Sequence, residues 1–72
     1  MRITLDDPTV VPDLLDFLRA RPHVVADQVG PAELEVSLLG SRNLAARRLE
    51  LDLLVEAWRA ARRQSARVIA IE

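Results

Sequence analysis

Residues 44–63 read LAARRLELDLLVEAWRAARR and contain neither glycine nor proline. Most of these residues are strong helix formers, and Ser41 or Asn43, just before them, is a favourable N-cap residue. The stretch therefore predicts a helix that opens after Gly40 and ends near Arg63. At 1.5 Å per residue this helix is roughly 30 Å long, whereas strands of five or six residues span about 20 Å. We expect the helix to overhang the sheet on which it packs.

The apolar side chains of this helix cover more than one face when they are placed about 100° apart. The apolar arc contains Leu44, Ala46, Leu49, Leu51, Leu53, Leu54, Val55, Ala57, Trp58, Ala60 and Ala61. The charged residues on the opposite arc cover only about a third of the circumference. A helix that packs on a sheet needs an apolar stripe of somewhat over 100°, and this arc is roughly twice as wide.

We expect the surplus apolar surface to bind a second copy of the chain, since two-fold homodimers are the commonest oligomers. Trp58 is the expected anchor, because aromatic residues dominate interface energies. The residues expected at the interface are Leu53, Leu54, Ala57, Trp58 and Ala61. Two alternatives remain: the first helix and the N-terminal loop cover the surplus, or the outer face of the sheet forms the interface. That outer face is expected to carry Val24, Ala26, Val68 and Ala70.

The rest of the chain predicts four strands and a shorter helix. Apolar and polar residues alternate over Arg2–Leu5, which indicates a first strand. Pro12 lies in the first turn of the next helix if Thr9 is its N-cap, so we predict that helix from Val10 to Ala20. The later strands are predicted over Val24–Val29, Glu33–Leu39 and Arg67–Glu72. The Gly30-Pro31 turn makes the first two of these a hairpin.

The order of these elements, β-α-β-β-α-β, predicts a single α+β domain over residues 1–72 with a ferredoxin-like fold. In that fold, two helices pack on one face of a four-stranded antiparallel sheet. The expected core residues are Ile3, Leu5, Leu14, Leu18, Val25, Val36, Leu38, Leu51, Val55 and Ile69.

Composition argues against several classes of function. The net charge is −1 with both signs mixed along the chain, which is not the basic footprint of a nucleic-acid binder. The absence of cysteine excludes disulfides and thiolate metal sites, and no apolar run approaches the roughly 18 residues of a membrane span. All the basic residues are arginine, which indicates a GC-rich and therefore bacterial coding sequence. We expect a cytoplasmic protein.

Few residues are candidates for chemistry. Asp6 and Asp7 are adjacent carboxylates between a strand and a helix, a place where they can bind a ligand or form a turn and cap. Ser41 and Arg42, before the long helix, are candidates for an anion site or for capping alone. His23 has no neighbouring His or Cys at ligand spacing, so we expect a surface histidine, no metal, no cofactor and no enzymatic activity.

The stretch from Ile3 to Leu18, ITLDDPTVVPDLLDFL, resembles the opening of an ACT domain. Asp6-Asp7-Pro8 and Leu14-Leu15 match the acidic loop and paired leucines of that family, while Thr9 stands where the family has glycine. The resemblance implies a small βαββαβ regulatory domain that pairs with another copy and binds an amino acid or other small ligand, with the first loop contributing to the ligand site.

These patterns predict a non-enzymatic association module, a homodimer that acts as an adaptor or regulatory subunit for another protein. The alternative is an ACT-like sensor of small ligands. Its pocket would combine Asp6 and Asp7 with the neighbouring dimer surface.

Overall fold

The computed structural model describes residues 1–40, 43–63 and 65–72 of the chain. Its strands are β1 (Arg2–Leu5), β2 (Val24–Gly30), β3 (Glu33–Leu38) and β4 (Val68–Ile71). Its helices are α1 (Val11–Arg19), which follows a 3₁₀ turn over Pro8–Val10, and α2 (Leu44–Arg62). The predicted order and types of the elements are confirmed, and most boundaries agree within one residue.

Within the described residues the strands form one antiparallel sheet in the order β2-β3-β1-β4. Strand β1 lies between β3 and β4, and its Ile3 is opposite Leu34 on one side and Ile71 on the other. The hairpin predicted around Gly30-Pro31 joins β2 to β3. The sheet therefore brings the first and last strands of the chain side by side.

The hydrophobic core lies between one face of this sheet and the two helices. Buried side chains of β1, β2 and β3 alternate with exposed ones, and they pack with the buried residues of α1 and α2. The core residues are Ile3, Leu5, Val11, Leu14, Leu15, Leu18, Val24, Ala26, Leu34, Val36, Leu38, Leu51, Val55, Trp58 and Ala66. Because both helices contribute to this core, they cover the same face of the sheet.

The prediction that Val25 and Ile69 belong to the core is wrong, because these residues are 49% and 65% exposed. In β2, Val24 lies opposite Leu38 and Ala26 lies opposite Val36, so pairing with β3 turns these two residues inward and Val25 outward.

Strand β4 is irregular beside β1, and this changes which of its residues face the core. Val68 lies opposite Leu5 and Ile71 opposite Ile3, with a register shift between these pairs. Both therefore pack against the core, whereas Ile69 points away from it. The expected outer face is corrected accordingly, because Val24, Ala26 and Val68 belong to the core side of the sheet.

The start of α1 differs from the expected cap. Thr9 does not cap α1; instead its backbone N–H and its hydroxyl both donate to Asp7 Oδ1, at 2.9 and 2.6 Å. Asp7 thus caps the 3₁₀ turn, and Val10 precedes α1 without a side-chain cap. Pro12 lies in the first turn of α1 as predicted, where its missing N–H has no helical partner.

Helix α2 begins and ends with recognisable caps. Asn43 Oδ1 accepts a hydrogen bond from the Ala46 N–H at 2.8 Å, which identifies Asn43 as the N-cap residue. At the other end Arg63 adopts the left-handed conformation, with φ 53° and ψ 43°. The 19 residues of α2 give a length of about 28 Å, and no residue before Glu50 is even half-buried. The first two turns therefore project beyond the core.

Candidate functional site

Helix α2 has an apolar side that faces away from the core. Its buried side is formed by Leu51, Val55 and Trp58. At about 100° per residue, Leu49 and Leu53 lie on the opposite side of the helix, and they are 61% and 62% exposed. Three exposed alanines share this side with them. We call the whole set the outer stripe: Ala46, Leu49, Leu53, Ala57 and Ala60.

Charged residues border the outer stripe along one flank. Arg48 Nε lies 3.9 Å from Asp52 Oδ1, and Arg59 Nη1 donates to Glu56 Oε1 at 3.0 Å. These pairs link residues on the same helix surface at the i,i+4 and i,i+3 spacings that favour such contacts. The outer stripe itself contains no charged residue, so it is an apolar strip beside a solvated charged flank.

Polar contacts with α1 and with the residue before β2 help to hold α2 in place. The Trp58 Nε1–H donates to Asp13 Oδ2 at 2.8 Å, and Arg62 Nε donates to Asp13 Oδ1 at 3.2 Å, so both connect α2 to α1. At the start of β2, His23 Nε2 lies 2.8 Å from Glu50 Oε1. The helix is therefore held on its inner side and, through Glu50, on the flank opposite the charged one. Its outer stripe is presented to solvent.

The five residues predicted for an interface lie in different environments. Leu53, Ala57 and Ala61 are exposed. Leu54 is half-buried and packs against the core. Trp58 has no exposed surface at all, so it belongs to the core of the single chain and is not an anchor for a partner.

Sequence reasoning left Leu49, Ala46 and Ala60 out of the interface set although they complete the outer stripe. The signal that would have identified them is their angular position. Measured round the helix from the direction of the buried Leu51, Leu49 lies at about 160°, Ala60 at about 180° and Ala46 at about 220°. Trp58 obscured this signal, because a large aromatic residue can anchor either a core or an interface.

The residues predicted to bind a ligand do not form one site in the described part of the chain. Asp6 Oδ1 accepts a hydrogen bond from the Arg67 N–H at 2.8 Å and so ties the end of β1 to the start of β4. Asp7 serves as a cap. Hydrogen bonds from the hydroxyl and the backbone N–H of Thr9 lower the pKa of Asp7 below its ordinary value. Ser41 and Arg42 lie outside the described residues.

No family model matches the chain, and no curated protein or solved structure matches it. The site must therefore be interpreted from its own chemistry. Within residues 1–40, 43–63 and 65–72, no group of three or more His, Cys, Asp and Glu side chains could hold a metal ion. Neither described helix combines the length and the apolarity needed to cross a bilayer.

Among the described residues, grooves lie beside α2 in two places. One, of about 220 Å³, lies between α2 and β4 and is lined by Arg48, Asp52, Val55, Glu56, Arg59, Val68 and Ile71. Its two arginines and two carboxylates balance in charge, although the buried Arg59 Nε has no hydrogen-bond partner. The other, of about 280 Å³, lies between the end of β3 and the first turn of α2, where Leu39 and Leu44 are exposed. The first groove therefore carries no net charge that would select an ion.

Proposed function

We propose that this chain is a non-enzymatic association domain that forms a homodimer through the outer stripe of α2. The dimer would act as an adaptor or regulatory subunit for another protein in the bacterial cytoplasm. The observation that carries the proposal is the outer stripe. It has two well-exposed leucines and three exposed alanines in one uncharged strip, on the side of the helix opposite the core.

We further propose that the fold is ferredoxin-like. The support is the chain order β-α-β-β-α-β together with the sheet order β2-β3-β1-β4, in which each helix connects strands that are not neighbours in the sheet. This arrangement leaves the outer side of α2 uncovered by any other described element. A domain of this kind, with one helix longer than the sheet, has a surface ready for a second helix.

The expected affinity is modest. Covering the exposed parts of Leu49 and Leu53 on both copies stabilises the dimer by about 1–2 kcal/mol per side chain. Lost translational and rotational freedom opposes this by at least about 4 kcal/mol. The six alanine methyl groups of the two copies add roughly 3–5 kcal/mol, at up to about 0.8 kcal/mol each, and the small side chains allow close approach of the helices. We therefore expect a dissociation constant on the order of 1–100 μM.

The non-enzymatic part of the proposal rests on how the polar candidates are already engaged. His23 contacts Glu50, and the carboxylates of Asp6 and Asp7 accept hydrogen bonds from the backbone N–H groups of Arg67 and Thr9. A nucleophile paired with a base is the usual mark of a covalent mechanism. The described residues place no Ser or Thr hydroxyl in hydrogen-bond contact with His23.

Sedimentation velocity between about 1 and 200 μM protein tests the proposal, over the range of affinity expected above. The chain should move from 8.1 kDa toward twice that mass as concentration rises. Leu53→Asp should remain a monomer at every concentration while its far-UV circular dichroism stays unchanged, because the substituted position is exposed. Val25→Asp, at an exposed position on the sheet, is the matched control and should still dimerise. A wild-type monomer throughout the range would refute the proposed function.

A sensor of small ligands is the second candidate. It is favoured by the groove between α2 and β4, where apolar Val55, Val68 and Ile71 lie beside the unpartnered Arg59 Nε. It is disfavoured by the engagement of Asp6 and Asp7 in the turn that follows β1. A thermal-shift screen with amino acids and nucleotides separates the two candidates. A rise of several degrees with one compound would support the sensor, and we expect no such rise.

A further inference from the structure

The order of residues along the outer stripe is nearly symmetric about Leu53. Ala46 and Ala60 lie seven residues before and after Leu53, and Leu49 and Ala57 lie four residues before and after it. Ala45 and Ala61, eight residues away on either side, extend the pattern. When the helix is reversed end to end about Leu53, the outer alanines therefore fall on alanines, and Leu49 and Ala57 fall on each other.

A two-fold axis perpendicular to the helix makes the same patch meet itself in reverse, so a patch that is nearly symmetric end to end suits such an axis. We propose that two copies of the chain pair α2 with α2 in antiparallel orientation, with the two-fold axis passing beside Leu53. The partner is thus a second copy of this chain, held in one register. This inference rests on the proposed homodimer and adds its geometry.

Side-chain size favours the antiparallel orientation over the parallel one. In the antiparallel pair, Leu49 of each copy packs over Ala57 of the other, and Ala46 packs against Ala60. Large residues then face small ones on both sides of the central Leu53 pair, and the helix axes keep an even separation of about 8–10 Å. In a parallel pair, Leu49 would face Leu49 and Ala57 would face Ala57, so the helices would splay apart at one end.

The helix dipoles also favour this orientation, because antiparallel packing sets them head to tail. The flanking charges do not distinguish the two orientations. In the antiparallel pair, Glu56 lies within about 3 Å, measured along the axis, of the levels of both Arg48 and Asp52 of the second copy.

Cysteine cross-linking tests the register, and the chain has no cysteine of its own. Disulfides require Cα atoms about 4.4–6.8 Å apart. Mixing Ala46→Cys with Ala60→Cys protein under oxidised glutathione should give a cross-linked pair at least tenfold faster than either protein alone. In the antiparallel dimer two copies of residue 46 are about 21 Å apart. Leu53→Cys should cross-link with a second copy of itself. Ser37→Cys, at an exposed position on the sheet, is the control that measures the rate of cross-linking by random collision.

Other results of cross-linking and sedimentation would contradict different parts of the proposal. Rapid cross-linking of Ala46→Cys with itself would overturn the antiparallel orientation in favour of a parallel pair. A dimer in sedimentation whose helix cysteines react no faster than Ser37→Cys would overturn pairing through α2 while self-association stands. A monomer in sedimentation would instead refute the proposed function on which the inference rests.

Discussion

The Trp58 indole donates a hydrogen bond to Asp13 at 2.8 Å, across a separation of 45 residues in the chain. This bond joins α2 to α1 at the edge of the core. Trp58 is completely buried, and a buried indole N–H without a partner would destabilise the fold. Asp13 also accepts from Arg62, so one carboxylate fixes the C-terminal half of α2. This contact helps to hold α2 with its outer stripe facing away from the core.

Trp58→Phe should lower the free energy of unfolding by about 2–3 kcal/mol, because it removes a hydrogen bond to a charged group and some buried volume. Arg62→Ala should cost less than about 1 kcal/mol, since Arg62 is 47% exposed. Urea unfolding at one fixed protein concentration, followed by far-UV circular dichroism, measures both. If Trp58→Phe is no more costly than Arg62→Ala, the Trp58–Asp13 bond is not important for stability.

The sequence allowed the order of elements and the hairpin to be predicted, because alternation of apolar and polar residues, turn residues and caps identify them locally. It did not determine which side of β2 and β4 faces the core. Val24 and Val25 are equally apolar, and Val68–Ile71 is apolar throughout, so period-two alternation carries no signal there. Pairing with β3 and the register shift beside β1 decide these sides. Both are long-range contacts.

The exposed apolar side of α2 was predicted less well than the fold for a related reason. Leucines occur on every side of α2. Placing the side chains 100° apart therefore indicated more apolar surface than the core needs, without showing which side faces the core. The contacts of Leu51, Val55 and Trp58 with the core fix the rotation of the helix. Once that rotation is known, Leu49 and Leu53 follow as the exposed pair.

The neighbouring valines of β2 allow a direct test of the strand orientation. Val24→Asp should lower the free energy of unfolding by at least about 3 kcal/mol, because it places a charge in the core without a partner. Val25→Asp should change it by less than about 1 kcal/mol, since Val25 faces solvent. Chemical unfolding of the two variants under identical conditions makes the comparison. Equal losses, or a larger loss for Val25→Asp, would contradict the pairing of Val24 with Leu38.

Glycine at position 63, at the C-terminus of α2, should increase the stability of the fold. Arg63 has φ 53° and ψ 43°, a left-handed conformation that costs an L-residue about 1–2 kcal/mol and glycine almost nothing. After the entropy of the more flexible unfolded chain is subtracted, Arg63→Gly should stabilise the fold by about 0.5–1 kcal/mol. That gain corresponds to a rise in Tm of roughly 2–8 °C for a domain of this size.

Two controls separate this backbone effect from the loss of a charge. Arg63→Ala removes the same guanidinium but keeps the strained conformation, so it should give no stabilisation. Arg62→Gly, one residue earlier and still inside α2, should destabilise by about 1 kcal/mol, because glycine is a poor helix former there. Differential scanning calorimetry at one protein concentration compares all three variants. If Arg63→Gly and Arg63→Ala had the same Tm, relief of the left-handed strain would not explain the change, and the end of α2 would lie elsewhere.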